Sequence, residues 1–328
     1  MFVSCIDEPI DFIPSSSGDT EGRTRAFLKV QDGCDYSCTF CTIPLARGKS
    51  RSLPVDELLN QGNNLAEHGY REIVLTGVNI GDYGRQFGTN FFDLVKSLEH
   101  LPVDRIRISS IEPNLLTREM VDFLLQSEKY CNHFHIPLQS GSDSVLKKMR
   151  RRYLRDHYRE LIDYIRASDP DAGIGADVLV GFPGETEEAF NETYAFLVEL
   201  PISYLHVFTY SEREHTPAVQ FADPVDMHER HRRNEMLRIL SLKKRQVFAA
   251  RFLGKNLPVL FETAGENGEI SGLTTNYLRV ETISEKQLTN EIHVVQITGI
   301  YPAHCTGDIL TNSFINHRHG ELILTQTP

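Results

Sequence analysis

Three cysteines crowd into eight positions near the start of the chain. Cys34, Cys38 and Cys41 form a C-x3-C-x2-C run, opened by Gly33. Three thiolates on one short loop can wrap three corners of a cubane iron–sulfur cluster, whereas a closed 4Fe-4S site takes four cysteines. The missing fourth ligand leaves one iron open. A structural zinc site wants a fourth Cys or His at matching spacing, and the next histidine, His68, lies beyond a predicted helix. A thioredoxin-like pair could use Cys38 and Cys41 but leaves Cys34 unexplained. Position and spacing together favour the cluster. Cys5, Cys131 and Cys305 are scattered and read as structural free thiols. Six cysteines in 328 residues make no disulfide scaffold, which points to a reducing, cytoplasmic setting.

Short β-rich runs alternate with amphipathic helical patterns and must position that loop. The runs are Arg25–Val30, Glu72–Thr76, Arg105–Ser109, His133–Pro137, Ala176–Val180 and Tyr204–Phe208. Between them lie a helical stripe opened by Pro54 and closed by Gly69, then Phe91–Leu101, Thr117–Ser127, Arg155–Ala167 and Glu185–Leu200. Six βα units in sequence mean a parallel sheet, either an open doubly wound sheet or a barrel. Residues 1–22 are acidic and Ser/Gly/Pro-containing and read as a linker or the remnant of something upstream. Residues 23–253 hold the βα units and a long helical stretch at about Met227–Phe252. Residues 254–328 change texture. Leu257–Thr263, Tyr277–Thr282, Ile292–Ile300 and Glu321–Thr325 read as strands of a small all-β domain. No apolar stretch is long enough to span a bilayer, so no membrane partner is expected.

In a βα barrel the chemistry sits at the C-terminal strand ends. Here those ends carry Gly77 and Asn79, Ser110 and Glu112, Gln139, and Asp177 with the run to Thr186. Glycines permit close backbone approach. The polar side chains supply donors and acceptors for a ligand. The net charge of −11 argues against nucleic-acid binding over the whole surface, but not at a local patch. Lys147–Arg159 holds seven Lys/Arg and one acid, including Arg150, Arg151 and Arg152, and lies beside the fourth strand's loop. That composition suits phosphates.

Asp32–Gly48, His135–Arg152 and Asp177–Thr186 together closely resemble the methylthiotransferase family of radical-SAM enzymes. The resemblance runs from Arg23 to the end. It is strongest to members acting on threonylcarbamoyladenosine at tRNA position 37, through Arg23–Lys29, Met149–Tyr153 and Leu273–Tyr277. It implies a radical-SAM partial (βα)6 barrel followed by a TRAM-like β domain, and transfer of a methylthio group to C2 of the adenine. It also implies that Cys34, Cys38 and Cys41 ligate a 4Fe-4S cluster whose open iron takes S-adenosylmethionine (SAM), and that Phe40 flanks the SAM adenine. Gly77 and Asn79 would lie near its methionine moiety, with Ser110, Glu112, Gln139 and Asp177 contacting SAM or substrate. Arg150, Arg151, Arg152 and Tyr277 would contact RNA. The β domain's four Lys/Arg against eight Asp/Glu leave shape and aromatic contacts to do that work. The implied partners are tRNA, an electron donor and a sulfur source. The family's N-terminal domain, with three further cysteines for an auxiliary cluster, has no counterpart here. The chain is therefore expected to be part of a longer protein, with the second cluster only in the full-length form. Within the family, isopentenyladenosine in tRNA and a ribosomal-protein aspartate are alternative targets. Outside it, the alternative is a non-catalytic zinc and RNA-binding module.

Overall fold

The computed structural model describes residues 24–265 and 268–310. Strand β1 (Arg25–Lys29) feeds the cysteine loop. The loop's flanks pair as β2 (Gln31–Asp32) and β3 (Arg51–Ser52), with α1 (Ile43–Arg47) between them. Helices and strands then alternate as α2 (Val55–Glu67), β4 (Glu72–Thr76), α3 (Phe91–Leu98), β5 (Arg105–Ile108), α4 (Arg118–Gln126) and β6 (His133–His135). The series continues as α5 (Asp143–Lys148), α6 (Arg155–Ser168), β7 (Gly173–Val180), α7 (Glu187–Glu199), β8 (Tyr204–Thr209) and α8 (Met227–Ala250).

Capping and patterning explain these elements. Asn90, Thr117 and Thr186 open α3, α4 and α7, each side chain accepting a first-turn backbone N–H. The buried faces of α2, α3 and α6 carry Leu58 and Leu65, Leu94 and Leu98, and Leu161 and Ile165. They pack on Leu28, Ile73, Leu75, Ile106, Ile174 and Val178 of the strands. Strand alternation turns the intervening residues the other way, into the lumen.

The strands form two parallel arcs, β1-β4-β5 and β6-β7-β8. Lys29 is level with Thr76, Leu75 with Ile108, and Asp177 with His206. β5 and β6 adjoin, since Cys131 N donates to Ile106 O at 2.8 Å and Ile111 N to His135 O at 3.0 Å. Among the described residues no ladder joins β8 to β1. The result is a partial (βα)6 barrel, which resolves the choice that the sequence left open.

Five further strands make a small closed barrel in the order β10-β11-β13-β12-β9. They are β9 (Asn256–Ala264), β10 (Glu269–Thr274), β11 (Arg279–Ile283), β12 (Ile292–Ile300) and β13 (Cys305–Ile309). Its core of Val259, Phe261, Val280, Val295 and Ile297 takes in Phe248 and Phe252 from the end of α8. The same helix gives Leu237 and Leu240 to the larger core. β10 and β13 were not expected from sequence. Each carries a mid-strand glycine, which weakens a strand signal, and β10 shifts register between Ile270 and Gly272. The expected strand Glu321–Thr325 lies outside the described residues.

Candidate active site

The cysteine loop is built around two residues. Gly33 has φ +70°, and a Cβ there would fall 2.0 Å from Lys49 O, so no side chain fits. Asp32 gathers Lys29 at 3.3 Å, Arg47 at 3.2 Å and Arg51 at 3.0 Å, and accepts from Gly33 N at 2.8 Å. Burial pushes its carboxyl up, but the Gly33 hydrogen bond and the Lys29 and Arg51 charges win and hold it below the usual range. Cys34 Sγ accepts from Tyr36 N and Cys41 Sγ from Ile43 N, both at 3.4 Å. Arg151 Nη1 donates to Cys38 Sγ at 3.3 Å.

Gln31, which sequence reasoning passed over, ties this loop to the end of β4. Its Oε1 accepts from Val78 N at 3.0 Å and Asn79 N at 2.8 Å, while Nε2 donates to Gly33 O at 2.7 Å. Gly77 and Asn79 are thereby fixed beside the cysteines. Asn79 donates to Asp82 at 2.8 Å, and its own Oδ1 is buried with no protein partner. Ser110 and Glu112 follow β5, and Glu112 pairs with Arg151. Gln139 adopts φ +68°, held because Gln139 N donates to Asp177 O at 2.8 Å and its carbonyl accepts from Leu179 N at 2.9 Å. A left-handed non-glycine residue is strained, and these two bonds hold it there. Phe40 meets Phe182 edge-to-face at 6.2 Å.

Three of the expected positions are otherwise than sequence suggested. Asp177 is not at a strand end. β7 begins at Gly173, so Asp177 is mid-strand and deeper in the lumen, accepting from His135 Nε2 at 2.8 Å with His206 Nδ1 at 3.4 Å. Burial pushes its carboxyl up, but the two imidazoles outweigh that and hold it at about 2. Arg151 is not free for phosphate: its side chain is 5% exposed and spent on Glu112 and Cys38. Tyr277 is not in a strand and is half-buried. It occupies the β10–β11 turn at φ +72°, stacked 4.4 Å from buried His133. Gly173 admits that turn, since a Cβ there would lie 2.1 Å from Asn276 O. Arg150 and Arg152 do stay exposed. Arg152 lies over the Tyr36 ring at 3.7 Å, beside the cysteines.

The lumen floor is polar and buried, and sequence periodicity did not single it out. His133 Nε2 meets Tyr204 Oη at 2.8 Å, and the same hydroxyl meets His135 Nδ1 at 3.2 Å. Below them Glu72 and Arg107 form a buried ion pair at 2.8 Å.

A partial (βα)6 barrel with a thiolate triad on the loop after its first strand defines a class of radical enzymes. Residues 28–197 match the Radical SAM superfamily model, and the chain belongs to that superfamily. The threonylcarbamoyladenosine tRNA methylthiotransferase MtaB of Bacillus subtilis (strain 168) is 41% identical over 282 residues, 84% of this chain and 62% of that protein. Its Aquifex aeolicus (strain VF5) namesake is 39% identical, over 83% of this chain and 65% of its own length. The tRNA-2-methylthio-N(6)-dimethylallyladenosine synthase of Symbiobacterium thermophilum is 35% identical, over 89% of this chain and 64% of its own. The chain thus spans somewhat under two thirds of these relatives. Among solved structures, the radical SAM methyltransferase TsrM from Kitasatospora setae superposes with a TM-score of 0.51 at 16% identity, over 59% of this chain and 37% of that one. That likeness concerns the fold.

The family's cofactors are a 4Fe-4S cluster and SAM, and the residues present fit them. Burial together with the nearby Cys38, Asp82 and Cys41 pushes the Cys34 thiol up to about 11. Burial and Cys38 also raise Cys41. Thiolates gathered this closely call for a cationic centre among them. The unpartnered Asn79 Oδ1 offers an acceptor beside that centre, as a SAM amino group requires.

Proposed function

We propose that this chain is the radical-SAM and RNA-contacting portion of a tRNA methylthiotransferase acting at C2 of N6-threonylcarbamoyladenosine, tRNA position 37. The observation that carries this reading is the similarity, over more than four fifths of the chain, to relatives bearing that name. It is read together with a complete thiolate triad. When bound, the cluster and SAM supply a 5′-deoxyadenosyl radical. The protein's share is to hold and orient. Cys34, Cys38 and Cys41 take the cluster. Arg151 places a fixed positive charge on Cys38 and is itself held by Glu112. Gln31 keeps Gly77 and Asn79 in place for the methionine moiety, and Phe40 with Phe182 gives the adenine an apolar wall. Arg150 and Arg152 flank the mouth, where tRNA phosphates would pass. The TRAM-like barrel is the second RNA surface. An electron donor and a sulfur source complete the reaction.

The test is nucleoside mass spectrometry of tRNA from cells with and without the full gene. Loss of 2-methylthio-N6-threonylcarbamoyladenosine, with its unthiolated precursor accumulating, is the expected result. Loss of the methylthio-isopentenyl nucleoside instead would reassign the substrate, and unchanged tRNA would refute the reading.

A further inference from the structure

The lumen face of β8 carries Tyr204, His206 and Phe208, because alternation turns Leu205 and Val207 toward the helices. Tyr204 is buried in the floor, but Phe208 is 51% exposed. A lone exposed Phe on an outer surface is ordinary. This one stands inside a catalytic barrel, level with Leu179 and one residue from the mouth end of its strand. Two residues deeper on the same face is His206, level with Asp177.

The Asp177 carboxylate orients that imidazole, with His206 Nδ1 at 3.4 Å from Oδ1. Burial, and then the Arg107 charge, keep His133 neutral. One assignment that uses each proton of the chain once runs from His133 to Asp177. His133 Nε2–H donates to Tyr204 Oη at 2.8 Å, and Tyr204 Oη–H donates to His135 Nδ1 at 3.2 Å. His135 Nε2–H then donates to Asp177 Oδ1 at 2.8 Å. The same Asp177 oxygen faces His206 Nδ1 at 3.4 Å, so Nε2 is the nitrogen left for a ligand.

We propose that Phe208 and His206 form the substrate-base site: a purine stacks on Phe208 while His206 Nε2 bonds one polar atom of its edge. This deepens the tRNA reading and rests on it. The two side chains are roughly 6–7 Å apart along the strand, within the reach of one purine. An aromatic face with a fixed polar group beside it is how a base taken out of its stack is held. Asp177, His135 and Tyr204 are positioning residues, because they set the His206 ring without meeting the base.

The test uses the cluster-reconstituted chain and two anticodon stem-loop RNAs, one with adenosine at position 37 and one abasic there. Fluorescence anisotropy gives both affinities. The native chain should prefer the adenosine loop by roughly tenfold, the scale of one base–aromatic stack. Phe208→Ala and His206→Ala should each remove most of that preference while the abasic loop still binds. Phe208→Trp, which keeps a platform, should preserve it. Thermal melts check that the variants fold. A preference unchanged in both alanine variants overturns the site, as does a native chain that binds the two loops equally. If neither loop binds, the tRNA reading itself fails and takes this inference with it.

Discussion

Asp177 sits mostly out of water yet stays ionised, because two imidazoles repay the desolvation. Its folded value of about 2 lies below the ordinary carboxyl value of 3.8, which fixes the sign of its effect on stability. A depressed carboxyl stabilises the fold above its unfolded value, and that contribution is lost as pH falls through the folded one. It is worth on the order of 2 kcal/mol and should fade between about pH 4 and pH 2. Urea midpoints of the apo-protein should therefore fall more steeply across that window in the native chain than in Asp177→Asn, which starts lower at neutral pH. Parallel slopes would mean that the imidazoles do not hold this carboxylate. At this scale the cysteine triad was legible, because ligand spacing on one loop is a property of the sequence itself. Arg151 was not. Its neighbours Arg150 and Arg152 are exposed, and only the fold shows that it turns inward to Glu112. His206 and Phe208 carried no signal either, since an exposed lumen residue and an exposed surface residue look alike along one strand.

The β10–β11 hairpin docks the small barrel on the floor of the large one, beside α8, which packs into both cores. Arg107 spans the joint, pairing with Glu72 at 2.8 Å while donating to Thr274 O at 3.1 Å and Thr275 O at 3.2 Å. Arg105 adds bonds to Leu273 O at 3.0 Å and Pro258 O at 2.8 Å. Glu72 is wholly buried. Removing its partner strands a charge, which costs about 3–5 kcal/mol. Arg107→Ala should lose that much in chemical denaturation, and hydrogen exchange at Thr274–Tyr277 should accelerate. A loss below about 1 kcal/mol, with the hairpin still protected, would mean that docking rests on apolar contact alone. The six βα units were readable because their helices and strands keep clean periods. This hairpin was not, because Gly272 dilutes β10 and Tyr277, read as a strand residue, is a left-handed turn residue packed on His133. On α8, two arginines turn inward. Arg230 and Arg233 are buried, on Glu212 and on Glu185, Glu187 and Glu229, and serve packing rather than phosphate.

The whole molecule sets how much metal the chain can hold. Cys131 is buried beside Arg105 and Arg107 in the α/β barrel, and Cys305 is buried in the core of the small barrel. Burial pushes each thiol up to about 11, and neither shares a loop or face with the triad. Cys5 lies outside the described residues. The three grouped thiols of the described fold would hold one cubane cluster, so anaerobic reconstitution should give about four irons per chain. Under strong reductant that preparation should convert SAM to 5′-deoxyadenosine, because the cluster loop and the barrel mouth are both present. Without further cluster ligands it should leave tRNA unthiolated. Iron and sulfide content, with mass spectrometry of 5′-deoxyadenosine and of tRNA nucleosides from one reaction, checks all three statements together. About eight irons, or a methylthiolated nucleoside made by this chain alone, would show that the scattered cysteines do more than pack. An intact cluster that yields no 5′-deoxyadenosine would count instead against the proposed mouth, in which Gln31 would fix Asn79 for SAM and Arg151 would brace Cys38.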